Sequence, residues 1–140
     1  MTKTQKTKLL RGVSLFAGLG APALSAIAER VEVIDFPAGR YIVRQGQIGT
    51  GFYLIVSGRA KVLRGSDTLN TLGPGDFFGE LSVLDQAPRM AHVRTEEPTT
   101  CLALASWEFT KVLEENPKVT LQILREVVRR LREATEQHRH

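Results

Sequence analysis

The sequence predicts a mainly β domain, an antiparallel barrel or double-sheet roll with short helices before it and a longer helix after it. Three observations predict it. Nine of the twelve glycines fall between Gly39 and Gly79, where they punctuate short strands at close intervals. From Val31 the apolar residues take a period of two, the spacing of a strand with one buried face. From Ser106 the period becomes helical and stays so.

The chain has 140 residues, the length of one ordinary domain and enough to bury a real core. With 42% hydrophobic and 24% charged residues it reads as folded rather than disordered. The net charge of +4 sits largely towards the two ends and favours anionic partners only weakly. Cys101 is the single cysteine, so an internal disulfide and a cysteine metal cluster are both excluded. A reducing, cytoplasmic setting is expected. No stretch is long and apolar enough to be a transmembrane helix. Lys3, Lys6 and Lys8 ahead of Leu9-Leu10, with Ala23-Leu24-Ser25-Ala26 beyond, have the outline of a secretory signal. Arg11 breaks that apolar run and Gly12, Gly18 and Gly20 dilute it, so the segment is assigned to the fold.

Residues 1–140 read as one domain with no internal repeat. Residues 1–8 are polar and basic and are expected to fray. N-terminal helices are expected over 9–30. There Pro22 suits a first turn, and Leu24, Ile27 and Ala28 share a face. The roll is expected over 31–105. Val31 to Phe36 alternates, Pro37-Ala38-Gly39 turns, and Tyr41-Ile42-Val43 is strand-like. Phe52-Tyr53-Leu54-Ile55-Val56 is the strongest strand, and Ser57-Gly58 is expected to make a hairpin into Ala60 to Leu63. Thr68 to Leu72, Ala91 to Thr95 and Thr99 to Ala105 supply further strands. Asp76 reads as a turn former beside Gly75, and Cys101 as buried core beside Leu102 and Leu104. C-terminal helices are expected over 106–137. Ser106 is the expected N-cap, and Asn116-Pro117 breaks one helix and starts the next. In the second, Val119, Ile123 and Val127 form one stripe and Leu121, Leu124, Val128 and Leu131 another. That apolar face is wider than a lone surface helix needs, which predicts a homodimer.

The chemistry concentrates at residues 78–93. Arg89 carries a rigid fork of donors that matches two phosphate oxygens, and Pro88 restricts the backbone just before it. Glu80 to Leu84 reads as a short helix behind Gly79, its first N–H groups available to an anion. Glu80 is nine positions before Arg89. Either the two form a structural salt bridge, or Glu80 accepts from a ribose 2′-hydroxyl while Arg89 holds a phosphate.

The run Phe78-Gly79-Glu80-Leu81-Ser82-Val83-Leu84, followed by Pro88-Arg89-Met90-Ala91, resembles the phosphate-binding cassette of the cyclic-nucleotide-binding domain family. That family includes the bacterial catabolite activator protein and the regulatory subunits of cyclic-AMP-dependent kinase. Phe36-Pro37-Ala38-Gly39, Gln45-Gly46 and Phe52 to Gly58 are similar to its first strands and glycine turns. The resemblance covers roughly residues 10 to 135. It implies an eight-stranded antiparallel β-roll with the nucleotide inside, and a regulatory, non-catalytic, metal-free module. By matching position, Arg89 would hold the cyclic phosphate and Glu80 the ribose 2′-hydroxyl. Gly79, Leu81 and Ser82 would lie along the cassette helix, and Ser82, Met90 and Ala91 would add contacts near the phosphate.

Two positions depart from the family's pattern. A threonine or serine often follows the arginine, and threonine favours guanine; Met90 stands there, so cyclic AMP is expected before cyclic GMP. His92 replaces a usually small residue or threonine, and is expected to narrow the pocket or make binding pH-dependent. Trp107 is a candidate for stacking on the base. The family's bacterial transcription factors carry a helix-turn-helix after the long helix, and this chain stops near 132–140. A free-standing sensor without a DNA-binding domain is therefore expected, or a piece of something longer, with an unknown downstream protein as partner. The rival classes are a ligand-free scaffold acting through protein contacts and a cupin-type metal enzyme. The enzyme would need several histidines inside the roll, but of His92, His138 and His140 two are in the tail.

Overall fold

The structure is a computed structural model, and it describes residues 1–13, 16–46, 51–79 and 89–137. Eight short strands form two four-stranded antiparallel sheets, with helices packed on one of them. The strands are β1 (Glu32–Phe36), β2 (Tyr41–Val43), β3 (Gly51–Ser57), β4 (Ala60–Arg64), β5 (Asp67–Leu72), β6 (Phe77–Phe78), β7 (His92–Thr95) and β8 (Thr99–Ala105). One sheet runs β1-β8-β3-β6 and the other β2-β7-β4-β5. This is the mainly β roll that the glycine spacing and the period of two predict.

Strand β3 explains the architecture. It is apolar at nearly every position because both its faces are buried. Phe52 and Leu54, with Leu102 and Leu104 of β8, face a helical layer. Ile55, with Cys101 of β8, faces the second sheet and meets Ala60, Leu72 and Val93. Cys101 is fully buried, and burial pushes its thiol up to about 12.

The expected hairpin across Ser57-Gly58 does not form. Strands β3 and β4 lie in different sheets, and the turn carries the chain from one to the other. Gly58 makes the crossing possible, because its φ is +96° and a Cβ there would lie 2.6 Å from the Pro98 carbonyl oxygen. The hairpin forms one element later, between β4 and β5.

The N-terminus also differs from expectation. Residues 3–10 form α1 (Lys3–Leu10), which starts well before residue 9. Thr2 caps it through the Gln5 N–H while the Gln5 side chain reaches back to the Thr2 N–H, a reciprocal box that resists fraying. Helix α2 (Ala21–Ala28) follows, with Leu24, Ile27 and Ala28 buried as a face. Leu10, Val13 and Phe16 complete the helical layer, and the Phe16 ring meets Phe52 edge-on at 5.6 Å.

At the other end lie α3 (Ser106–Glu115) and α4 (Pro117–Gln137). Ala105, not Ser106, occupies the N-cap of α3; Ser106 is the first helical residue and is buried. Asn116 ends α3, donating from its amide to the Val112 carbonyl at 2.9 Å, and Pro117 opens α4. Along α4, Val119 and Ile123 are buried and Val127 packs against the same core. Leu121, Leu124, Val128 and Leu131 are exposed on another stripe.

Candidate ligand-binding site

The site is built where β6 ends. Gly75 donates to the Ile55 carbonyl and Ile55 donates to the Asp76 carbonyl, each at 2.8 Å, so the turn before β6 is fastened to β3. Asp76 closes that turn by accepting from the Gly73 N–H through its carboxylate at 2.8 Å, as its sequence context predicts. Strand β6 then pairs with β3, placing Phe77 opposite Leu54 and Phe78 opposite Tyr53.

Gly79 follows with φ +81°, a region that disfavours any side chain. There is a second reason for glycine here. A methyl group would run into the guanidinium of Arg89 and stand 2.8 Å from the Gly51 carbonyl oxygen. The missing side chain of Gly79 is the space in which the Arg89 head group sits. That head group donates through Nη2 to the Gly51 carbonyl. The Arg89 carbonyl in turn accepts from the Gly46 N–H at 2.8 Å. The arginine is thus tied at its backbone to Gly46 and at its head to Gly51, the first residue of β3.

Gly51 is itself confined. It pairs with Ala105 of β8, and a Cβ on it would lie 2.8 Å from the Leu104 carbonyl oxygen. Beside this cation stands an aromatic wall. Tyr53 stacks on Phe78 with centroids 5.3 Å apart and meets Phe36 edge-on at 6.4 Å. Burial pushes the Tyr53 hydroxyl up, and the positive charge of Arg89 acts in the opposite direction. The guanidinium charge is therefore felt at the wall. A planar cation aimed by a backbone carbonyl beside half-buried aromatic rings suits an anion that carries a flat, partly apolar body.

Of the residues singled out in the sequence, the structure brings Gly79 and Arg89 together. Met90 is 73% exposed and Ala91 half-buried. Glu80, Leu81 and Ser82 lie outside the described residues. Trp107 is exposed and lines a groove of about 610 Å³ with Ile34, Phe52 and Tyr53. His92 lies edge-on to Tyr41 at 5.3 Å, and its Nδ1 accepts from the Gln45 N–H at 3.0 Å. Reading the sequence misses the Gly51 carbonyl and the Gly46 N–H. Both glycines are visible as turn formers, but a backbone partner 38 residues from Arg89 leaves no mark in residue type. Tyr53 is legible as strand core, but its place beside the cation is not.

The family model described as the cyclic nucleotide-binding domain matches residues 33–116. The chain belongs to the cyclic nucleotide-binding domain family. The CRP-like cAMP-activated global transcriptional regulator of Mycobacterium tuberculosis is 31% identical over 130 residues, covering 89% of this chain and 58% of the regulator. The cAMP-dependent protein kinase regulatory subunit of Emericella nidulans is 35% identical over 106 residues, covering 74% of this chain and 26% of the subunit. This chain thus spans little more than half the length of the first and about a quarter of the second. Among solved structures, the N-terminal domain of a transcriptional regulator from Streptomyces coelicolor superposes with a TM-score of 0.86 at 28% identity, covering 92% of this chain and 94% of that domain. The eight-stranded roll with its C-terminal helix is thus the fold of a cyclic nucleotide-binding domain. Among the described residues, no helix is long and apolar enough to cross a membrane.

Proposed function

We propose that this chain is a cyclic nucleotide receptor, with cyclic AMP preferred over cyclic GMP, and that it binds its ligand without transforming it. Arg89 receives the cyclic phosphate, Gly79 leaves the room in which its guanidinium meets the ligand, and Glu80 accepts from the ribose 2′-hydroxyl. Leu81, Ser82, Met90 and Ala91 complete the surroundings of the phosphate. The observation that supports this reading is the seat of Arg89. Its guanidinium occupies space that only glycine leaves open at position 79, and it is aimed by the Gly51 carbonyl. A purely structural arginine on a surface has no need of two confined glycines. The names of the relatives, a cAMP-activated regulator and a cAMP-dependent kinase subunit, support cyclic AMP as the ligand.

Ligand capture is transmitted towards the C-terminal helices. Arg89 holds Gly51, Gly51 pairs with Ala105, and Ala105 is the N-cap of α3. A ligand that draws the guanidinium from the Gly51 carbonyl onto a phosphate acts on the strand end that starts α3. Such coupling requires that the nucleotide prefer one position of α3 and α4 over the other. The exposed stripe of α4 is the surface for a second copy of the chain.

Isothermal titration of nucleotide-free protein with cyclic AMP and then cyclic GMP tests the reading. Micromolar or tighter binding, with cyclic AMP ahead, is expected. No heat and no thermal shift with either nucleotide would overturn it and leave a ligand-free scaffold.

A further inference from the structure

We propose that His92 is a positioning residue for the ligand site and makes it sensitive to acid; this rests on the cyclic nucleotide reading of Arg89. His92 opens β7 and touches neither Gly79 nor the Arg89 head group by any bond the structure shows. Its Nδ1 accepts from the backbone N–H of Gln45 at 3.0 Å. The Gln45 side chain accepts from the Gly65 N–H at 3.1 Å, which ties the same turn to the β4–β5 hairpin. The next residue, Gly46, has φ +84° and donates its N–H to the Arg89 carbonyl at 2.8 Å. Adjacent N–H groups of one turn thus hold His92 and Arg89. The backbone of the phosphate-binding arginine is aimed by a turn that an imidazole fastens.

The direction of that hydrogen bond fixes the protonation state. A backbone N–H cannot accept, so Nδ1 must be bare and the ring neutral. Protonation replaces an acceptor by a donor facing a donor, and the tether opens. The charged groups around His92 are mainly cationic. Arg44 lies over the Tyr41 ring at 4.5 Å and Arg94 at 5.8 Å, and that ring meets His92 edge-on. On β4, beside β7, Leu63 stands opposite His92 and Lys61 opposite Arg94, and Arg64 follows Leu63. The Glu96 carboxylate in this region is engaged by Lys61 at 2.9 Å. The tethered state needs the neutral ring, so affinity is full above the imidazole range and falls as pH drops through it.

The test is titration with cyclic AMP across about pH 8 to about pH 5.5, the range in which imidazole changes charge, for the wild type, H92N and H92A. Wild-type affinity is expected to fall about three- to tenfold on acidification, the worth of one hydrogen bond. In H92N the amide oxygen offers an acceptor in place of Nδ1 that does not titrate, so its affinity stays flat with pH. H92A should show the low affinity throughout. A wild-type profile that runs parallel to H92N overturns the proposal. The amide shift of Gln45, followed by NMR without nucleotide, separates the two readings. It should move with the His92 ring in the wild type and not in H92N. A Gln45 shift that ignores His92 removes the tether even if cyclic AMP binds. No binding at about pH 8 removes the ligand reading, and with it His92 as a positioning residue, even if the Gln45 shift follows the ring.

Discussion

Arg89 and Gly79 pack as a pair, and substitutions at each should separate charge from space. Arg89→Ala is expected to weaken cyclic AMP binding by about 2–5 kcal/mol, the cost of removing one partner of a desolvated charge pair. Arg89→Lys keeps the charge and loses the fork, so its affinity should stay well below wild type. Titration calorimetry on both variants checks this, and wild-type affinity in either would reassign the phosphate. Gly79→Ala touches no charge. It should nevertheless reduce binding as severely, because the methyl displaces the guanidinium, and it adds about 1–3 kcal/mol of backbone strain that a lowered Tm reports. Cys101, packed in the core behind the aromatic wall, tests the burial of β8 without touching the charge of Arg89. Its thiol is held up to about 12 by burial, whereas an unfolded cysteine ionises near ~8.5. With the folded value raised, this contribution to stability is complete below the unfolded value and is lost as pH rises towards the folded one. A thiol reagent at about pH 8 should therefore leave native protein unlabelled and react on denaturation. Rapid labelling of native protein would contradict the buried inner face of β8.

The elements show what sequence carries and where it stops. Strand β3 is legible because a run of apolar and β-branched residues needs burial on both faces, and the break at Asn116-Pro117 is legible because proline cannot continue α3. The sheet to which β4 belongs is not legible. Ser57-Gly58 is as good a hairpin turn as a crossing turn by composition, and only the close packing of Gly58 on Pro98 and Thr99 decides. Gly58→Val should accordingly destabilise the fold more than Gly65→Val at the β4–β5 tip, where φ is also positive but a Cβ would meet nothing within 4 Å. A chemical denaturation midpoint near wild type would show that the crossing tolerates a side chain. Helix α1 illustrates the opposite error: its polar, basic surface reads as a frayed end, yet the box formed by Thr2 and Gln5 is a local signal present in the residues themselves. Thr2→Ala should remove about 1 kcal/mol. The candidate site divides in the same way. Arg89 is legible from its residue type and neighbours, while its backbone partners Gly51 and Gly46 follow from register, which no local pattern encodes.

At the scale of the molecule, the question is what the outer stripe of α4 is for. Leu121, Leu124, Val128 and Leu131 are spaced by three, four and three residues, the a/d seam of a coiled coil. They lie 46%, 57%, 41% and 64% exposed, while the opposite stripe of Val119 and Ile123 already serves the core. Helix α4 has 21 residues and is about 30 Å long, and the seam from Leu121 to Leu131 runs about half of it. On the face of the same helix turned away from that seam, Arg129 is bonded to Glu126 and Glu133. A bare apolar a/d seam with the helix's ion pairs on the far side is what two copies packed along α4 would use. The double variant Leu124→Glu and Leu131→Glu should therefore run as a monomer in sedimentation velocity at concentrations where the wild type runs as a dimer. The wild type alone should show a Tm that rises with concentration. Because the variant leaves every residue proposed to hold the nucleotide unchanged, it should retain measurable cyclic AMP binding. Its affinity should differ from that of the dimer by whatever the second copy contributes to the preferred position of α4. A wild type that sediments as a monomer at every concentration would leave the seam to a different protein.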